Sequence, residues 1–241
     1  PIFNFALVTI PIMTTENTIA SGADEAPLVL HGYWRSSASY RVRMALNLKG
    51  IDYEQQFVHL VRDGGQQHSD AYRRLNPQGK VPTLVHGRRV LTQSPAILEY
   101  IEETFPDPAL LPGDPGGRAR VRALAAVITC DTHPLNNLQV LKYLTGRLGV
   151  DEATKLAWYR HWVGAGLDAF ETMLANSDET GECCHGDTPT LADCCLLPQV
   201  YNARRFSCDE SGWPKIRRIC AHLETIAAFD RAAPEKQPDA E

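Results

Sequence analysis

The sequence predicts a fold in two parts, an α/β domain followed by an all-helical domain. Short runs rich in β-branched residues alternate with helical patterns only between residue 28 and about residue 105. Pro and Gly then dominate "PDPALLPGDPGG" at residues 106–117, and every periodic segment after it has helical spacing. The order of elements in the first part is β-α-β and then β-β-α.

The elements of the first part follow from local signals. "LVLHGYW" predicts a buried strand, and the pattern after it predicts a helix that ends at Leu48 with Gly50 as its C-cap. "DYEQQFVHL" predicts the second strand, and "VPTLVHG" with "RRVLTQ" predicts a hairpin that turns near Gly87. "SPAILEYIEETF" predicts a helix with Ser94 as its N-cap and Pro95 at the first helical position.

Four helical segments follow the linker. "RARVRALAAVITCDTHPLNNLQVLKYLTG" predicts one or two helices, interrupted near Pro134. "EATKLAWYRHWVGAGLDAFETMLA", "TPTLADCCLLPQVYNARRF" and "WPKIRRICAHLETIAAF" predict one helix each. Thr190 and Asp193 have the spacing of a capping box in the third segment, so we assign them to folding and not to catalysis.

These patterns predict an α/β domain over residues 28–105, a linker over 106–117 and a helical domain over 118–230. Residues 1–27 begin with a short apolar stretch that holds two prolines and no basic region, which makes a poor secretory signal. A polar stretch of small residues follows it. We expect residues 1–27 to be a disordered or additional extension and residues 231–241 to be a flexible tail.

The composition argues against several classes of partner. The net charge is −5 at pH 7 with both signs interspersed, whereas nucleic-acid binding needs a basic face. No apolar run approaches the ~20 residues of a membrane span. Seven cysteines, an odd number with none before Cys130, favour a reduced, cytoplasmic compartment over a disulfide framework. We therefore expect neither nucleic acid nor a membrane as a partner.

The cysteines lack the spacing of a metal site. Structural zinc sites use ligands separated by roughly two to four residues, so that the side chains can converge. Cys183, Cys184 and His185 are consecutive, and Cys194 and Cys195 are adjacent in a helical pattern where we expect at most one to face inward. We therefore predict no metal ligand.

The stretch "WRSSASYRVRMALNLKG" places hydroxyl groups at the start of the first helix. Ser36, Ser37 and Ser39 could each cap this helix, but one hydroxyl is enough for a cap. Free N–H groups and the positive end of the helix dipole favour an anion or a thiolate at such a place. The surplus hydroxyls indicate an anion site, and one cap with two exposed serines is the alternative.

Two further stretches indicate an extended, anionic ligand. Pro82 in "KVPTL" lacks a backbone N–H, so we predict an edge strand along which Val81 pairs with an extended peptide; an ordinary edge proline is the alternative. In "TQSP", Gln93 and Ser94 stand where a strand gives way to a helix. A carboxylate there would meet a hydroxyl, backbone N–H groups and the helix dipole, although the pattern alone is also that of any helix start.

Together these features define a site for an extended peptide whose thiol faces one helix end and whose carboxylate faces the other. The chain from about Val29 to Phe229 resembles the zeta class of glutathione transferases, whose best-known activity is that of maleylacetoacetate isomerase. The stretches that carry the resemblance are "RSSASYRVRMALNLKG", "DGGQQ", "NPQGKVPTL", "TQSPAILEYIEE", "LLPGDP", "HPLNNLQVLK" and "DTPTLADCCLLPQVYNARRF". It implies a thioredoxin-like N-terminal domain, an all-helical C-terminal domain, a homodimer and glutathione as the cofactor.

The resemblance also implies roles for individual residues. Ser36 and Ser37 would face the glutathione sulfur and form the catalytic group together with Arg35. Arg35 and Arg205 would receive a substrate carboxylate, because a planar guanidinium binds carboxylate bidentately. The residues expected to hold or border glutathione are Ser36, Ser37, Gln67, the Val81 backbone, Gln93 and Ser94 in the first domain, and His133 and Asn137 in the second.

Three arginines are set apart from these roles. Arg204 lies beside Arg205, so the carboxylate assignment is open by one position. We expect Arg41 and Arg43 on the solvent or dimer side of the first helix and give them no part in substrate binding. The chain also departs from the family at Ala38, where many members have cysteine, which implies that glutathione alone supplies the reacting sulfur.

The expected reaction is the conversion of maleylacetoacetate to fumarylacetoacetate in the breakdown of tyrosine and phenylalanine. The thiolate of glutathione would add to the cis double bond, allow rotation and be eliminated again. Maleylpyruvate isomerisation is the closest rival, and Leu138 supplies no extra arginine for that shorter acid. The same motifs also fit conjugation or dehalogenation of small α-halo acids, or a non-catalytic glutathione-binding module.

Overall fold

A four-stranded mixed sheet forms the core of the first part. The computed structural model describes residues 26–241, so the predicted extension over 1–27 lies outside the described residues except for its last two positions. The strand order is β2-β1-β3-β4, with β1 parallel to β2 and antiparallel to β3. The strands are β1 (Leu28–Gly32), β2 (Tyr53–Phe57), β3 (Thr83–His86) and β4 (Arg89–Thr92).

Three helices complete this part: α1 (Ser37–Leu48), α2 (Asp70–Leu75) and α3 (Ser94–Thr104). Val42, Ala45 and Leu46 give α1 its helical spacing, and all three are fully buried. α1 packs against α3. Each large apolar side chain buried in this way contributes about 1.5–3 kcal/mol to the free energy of unfolding. The predicted order β-α-β and then β-β-α is confirmed.

The strand that follows Pro82 is not at an edge, so that prediction is wrong. β3 lies between β1 and β4, and it begins at Thr83. Pro82 therefore precedes the ladder and removes no ladder hydrogen bond, which is why a central strand tolerates it. The Val81–Pro82 peptide bond is cis.

The second part is helical, which confirms the predicted fold class. A π-helical turn, Val127–Thr132, continues α4. The first helical segment of the sequence is divided there and again at Asn137, so it forms three helices. The helices are α4 (Pro115–Ala126), α5 (His133–Asn136), α6 (Leu138–Gly146), α7 (Glu152–Ala175), α8 (Leu191–Arg205), α9 (Pro214–Leu223) and α10 (Ala227–Ala232).

The segment between the two parts is held by a buried ion pair. Lys49 Nζ lies 2.8 Å from Glu102 Oε2 and donates to the carbonyl oxygens of Phe105 and Pro108. The Glu102 carboxylate accepts hydrogen bonds from the backbone N–H groups of Leu110 and Leu111. α4 already begins at Pro115, inside the stretch predicted as a linker. One hydrophobic cluster spans both parts, and α1 packs against α8 and α10.

The last residues of the chain pack against the first part, whereas the sequence interpretation set 231–241 apart as a flexible tail. Asp239 Oδ2 accepts from the backbone N–H of Trp34 at 3.0 Å, and Glu241 pairs with Arg62. The Ala232 carbonyl accepts from Arg43 Nε at 3.1 Å. These polar partners lie far away in the sequence, so no local signal indicates them.

The seven cysteines are free thiols. Cys194 and Cys195 are both buried, so the expectation that at most one faces inward is wrong; α8 is enclosed on nearly every side. Residues 26–241 hold no cluster of three or more potential metal ligands, and none of their helices is long and apolar enough to cross a membrane. The capping box of Thr190 and Asp193 at the start of α8 is confirmed.

Candidate active site

A cavity of about 470 Å³ lies between the two parts of the molecule. All ten residues that the sequence interpretation singled out line it, although they come from six separate stretches of chain. They are Arg35, Ser36, Ser37, Gln67, Val81, Gln93, Ser94, His133, Asn137 and Arg205.

The two serines at the start of α1 both have their oxygen occupied as an acceptor. Ser36 is the N-cap, and its Oγ accepts from the backbone N–H of Ser39 at 3.2 Å. Ser37 Oγ accepts from Asn202 Nδ2 of α8 at 2.5 Å. A hydroxyl that accepts in this way still has its own proton to donate. Both serines can therefore direct a proton into the cavity at the positive end of α1.

Gln67 is placed by the glycine before it. Gly65 has a φ of 106°, and a Cβ there would lie 2.5 Å from Gln67 Nε2, so only glycine allows the glutamine side chain to fold back over the turn. Gln67 Nε2 donates to the Leu60 carbonyl at 3.3 Å, while its buried Oε1 has no partner in the described chain. A ligand N–H donor would satisfy that oxygen.

Val81 reaches the cavity just ahead of β3. It is outside the β1–β3 ladder, whose pairing with β1 begins at Thr83. Its backbone can therefore pair with an extended ligand even though the strand itself is central.

The start of α3 forms the second helix end in the cavity. The sequence predicts Ser94 as the N-cap, but the structure has Gln93 in that position. The first helical hydrogen bond runs from Ile97 N to the Gln93 carbonyl. Gln93 has a φ of 69°, a strained conformation for a residue with a side chain. Ser94 is consequently the first helical residue, buried at the cavity wall.

His133 and Asn137 flank α5 on the helical side. Burial and the positive charges of Arg41 and Lys80 lower the pKa of His133, so the imidazole is neutral and a weak base. Asn137 caps α6, since its Oδ1 accepts from Gln139 N at 2.9 Å. Both side chains border the cavity, and the amide of Asn137 is largely committed to the cap.

The π turn before α5 lies close to α7. A Cβ on Gly166 of α7 would overlap Thr132 Oγ1, so the two segments approach as closely as a glycine permits. Thr132 Oγ1 in turn donates to the Val127 carbonyl at 2.7 Å. This packing fixes where His133 stands.

Arg35 and Arg205 bring two positive charges to the same region. Burial and the charge of Arg35 lower the pKa of Arg205. Each guanidinium lies 5.1 Å from the ring centre of its neighbour in sequence, Trp34 or Phe206. Neither forms a salt bridge with an acidic side chain of residues 26–241, so the pair is available to an anionic ligand.

Arg204 faces away from this pair. Its guanidinium forms ion pairs with Glu210 at 3.1 Å and with Glu224 at 2.6 Å. The one-position ambiguity of the sequence is thereby removed: Arg205 borders the cavity, and Arg204 is committed to the surface.

The expectation for Arg41 and Arg43 is wrong. Both are only 1% exposed. Arg43 donates to the backbone carbonyls of Trp34 and Ala232, whereas Arg41 donates to Ser94 Oγ at 3.1 Å and lines the cavity. A signal for Arg41 exists in the sequence, because it follows Ser37 by four positions and shares its helix face.

Asn202 is a second site residue that the sequence interpretation missed. It lies three positions before Arg205, so both project from the same side of α8. Its contact with Ser37 joins residues 165 positions apart, and no local pattern indicates such a contact.

Comparisons with known proteins show which family the chain is similar to. Residues 35–104 match the family model of the glutathione S-transferase N-terminal domain. The chain is 53% identical to a maleylpyruvate isomerase of a Ralstonia species over 87% of this chain and 98% of the relative. It is 50% identical to a probable maleylacetoacetate isomerase of Vibrio cholerae over 88% of this chain and 98% of the relative.

A solved structure is similar throughout. The maleylacetoacetate isomerase of Methylobacterium extorquens, with bound malonate and glutathione, superposes with a TM-score of 0.85 at 42% identity. The match covers 88% of this chain and 99% of that one.

Proposed function

This chain belongs to the zeta-class glutathione transferase family that includes the maleylacetoacetate and maleylpyruvate isomerases, and we propose that it isomerises maleylacetoacetate with glutathione as its cofactor. One observation carries the proposal: two hydroxyl-bearing helix starts border the same cavity as a pair of arginines that form no salt bridge within residues 26–241. These groups suit a peptide thiolate, a peptide carboxylate and a substrate carboxylate respectively.

Glutathione fits the first wall of the cavity. Gln67 Oε1, which has no partner within residues 26–241, and the Val81 backbone would take its peptide groups. Ser94 with the first N–H groups of α3 would take a carboxylate. Gln93 and Asn137 would border the ligand.

The bound cofactor supplies a thiolate that adds reversibly to the maleyl double bond and so permits rotation about it. Ser36 and Ser37 would donate hydrogen bonds to the sulfur, and the α1 dipole would add to their effect. A free thiol has a pKa of about 8.5, so this stabilisation raises the thiolate fraction at neutral pH. Ala38 adds no protein thiol to the site.

Arg35 and Arg205 would hold the substrate by its carboxylate. One guanidinium can bind a carboxylate in a bidentate manner while the other stabilises negative charge that develops on the substrate carbonyl oxygen. His133 would remain neutral and would form a hydrogen bond at the cavity wall rather than act as a base.

The choice of substrate depends on where the second carboxylate of the maleyl acid lies. Leu138 and Gln139 border the cavity from α6. Neither is an arginine that could bind the second carboxylate of the shorter maleylpyruvate, which favours the longer maleylacetoacetate. Lys142, one turn further along α6, also lines the cavity and favours maleylpyruvate as the second candidate.

The test compares both maleyl acids at equal concentration with glutathione present at a small fraction of the substrate. We expect full conversion to the fumaryl isomer, recovery of free glutathione, and the higher kcat/KM for maleylacetoacetate. Lys142→Met should leave kcat/KM for maleylacetoacetate unchanged. Turnover without glutathione, or its stoichiometric consumption, would contradict the proposal. The implied homodimer stays a prediction that light scattering of the full chain tests.

A further inference from the structure

Arg41 is a buried cation with incomplete hydrogen bonding. Its side chain is almost fully enclosed beneath the cavity, and its Nη1 donates to Ser94 Oγ at 3.1 Å. Its Nε and Nη2 are buried and have no partner among residues 26–241. Buried guanidinium groups are ordinarily satisfied by a carboxylate or by several carbonyls, so this one is exceptional.

The described protein offers Arg41 no negative charge. The groups whose ionisation would raise the pKa of Arg41 are the thiols of Cys195 and Cys130, whereas burial lowers it. Burial raises the pKa of Cys195 to about 11, so that thiol is neutral at physiological pH. His133 lies close enough to Arg41 for that positive charge to lower the pKa of the imidazole. A neutral imidazole carries no negative charge that could compensate Arg41. Among residues 26–241, therefore, no ion pair compensates the charge of Arg41.

We propose that Arg41 is a positioning residue for a carboxylate of glutathione, acting through Ser94. Because Ser94 Oγ accepts from Arg41, its own proton is left to point into the cavity, where the α3 backbone N–H groups also converge. The ligand carboxylate would then supply a counter-charge that the described part of the chain does not provide. This inference rests on the proposed function, because it needs glutathione in the cavity.

Arg43 is a matched control on the same helix. It is equally buried, but it donates to the carbonyl oxygens of Trp34 and Ala232 and does not line the cavity. Replacing Arg43 removes a buried arginine without touching the carboxylate site. An effect on ligand charge that belongs to Arg41 should therefore be absent in the Arg43 variant.

The test is a double-mutant cycle in which one change is made in the protein and the other in the ligand. Calorimetric Kd values are measured for glutathione and for its two mono-carboxamides, one amidated at the glutamyl α-carboxylate and one at the glycine carboxylate. The proteins are the unmodified chain, Arg41→Met, Arg41→Lys and Arg43→Met. We expect the unmodified chain to bind one of the two amides at least tenfold more weakly than glutathione.

Arg41→Met should abolish that tenfold difference by weakening glutathione alone, and Arg41→Lys should retain most of it because the charge remains. Arg43→Met should keep the full difference. The melting temperature of ligand-free Arg41→Met should equal or exceed that of the unmodified chain, since an uncompensated buried charge is removed, whereas Arg43→Met should melt lower.

Equal weakening of all three ligands by Arg41→Met, or a melting temperature as low as that of Arg43→Met, would overturn the role of Arg41. If Arg41→Met does not fold, Arg41→Gln takes its place in the same cycle. Failure of the unmodified chain to bind glutathione would instead refute the proposed function, so the two failures are distinguishable.

Discussion

The two walls of the cavity are built by different means. The wall from the first part combines backbone groups, at two helix starts and in the Val81 segment beside β3, with the hydroxyls of those helix starts and the amide of Gln67. The wall from the helical part is made by side chains on separate helices, with Arg205 and His133 as its main polar groups. Backbone groups keep their positions when side chains are exchanged, so the first wall suits a constant ligand, whereas a wall made only of side chains can change with the substrate.

The comparison predicts that losses on the two walls differ in kind. Substitutions on the helical wall should affect the maleyl substrate, and substitutions at the start of α1 should affect the thiolate. Packing changes behind the helical wall should alter stability first.

The largest effect should come from Arg205→Met. We expect kcat/KM for the maleyl acid to fall about 100- to 1000-fold, because losing a charged donor that the bound substrate covers costs roughly 3–4 kcal/mol. The KM for glutathione should stay within about twofold. The matched control is Arg204→Met, which removes only surface ion pairs and should keep nearly full activity. A larger loss in the Arg204 variant would reverse the assignment.

Ser37→Ala should lower kcat by about 10- to 100-fold, as expected when one hydrogen-bond donor to a developing anion is lost. Ser36→Ala should lower kcat and also cost about 1 kcal/mol of stability, because Ser36 caps α1. The measurement is kcat at saturating glutathione together with urea unfolding. Ser39→Ala, outside the cavity, should keep its kcat, and unchanged kcat in both the Ser36 and Ser37 variants would remove the role of the α1 hydroxyls.

Gly166→Ala should destabilise the protein by about 1–3 kcal/mol, because the new methyl group would overlap Thr132 behind the helical wall. Gly164→Ala in the same helix has open space and should stabilise by about 0.5–1 kcal/mol, since alanine is the better helix former. Chemical denaturation of both variants measures the difference. Equal shifts would show that the close approach of α7 to the π turn does not hold the wall.

The smallest effect concerns His133. Its pKa is lowered in the folded state, whereas the unfolded chain binds the proton near pH 6.5, so folding is disfavoured as the pH falls below that value. Between pH 7 and 5.5 the unmodified protein should lose up to about 1 kcal/mol relative to His133→Gln. Urea unfolding at both pH values measures this. Parallel losses in the two proteins would mean that the imidazole is solvated rather than buried in the wall.

The sequence was informative wherever a signal depends on neighbouring residues. The helix after "RSSAS", the hairpin near Gly87 and the capping box at Thr190 all follow from hydrogen bonds and dihedral preferences within a few positions, and the structure has them. The start of α3 was misplaced by one residue because the unusual φ of Gln93 has no local signature. The position of β3 inside the sheet was missed because strand order depends on remote pairing.

By itself the sequence determined the two-part fold class, the start of α1 with its hydroxyls, and ten of the residues that line the cavity. Only the tertiary structure decided that Arg41 is buried against Ser94, that Asn202 donates to Ser37, and that Arg205 rather than Arg204 borders the cavity. The physical reason is range. Local backbone preferences act over a few residues, whereas the burial of a charge and its partners depends on segments that meet only when the whole core has packed.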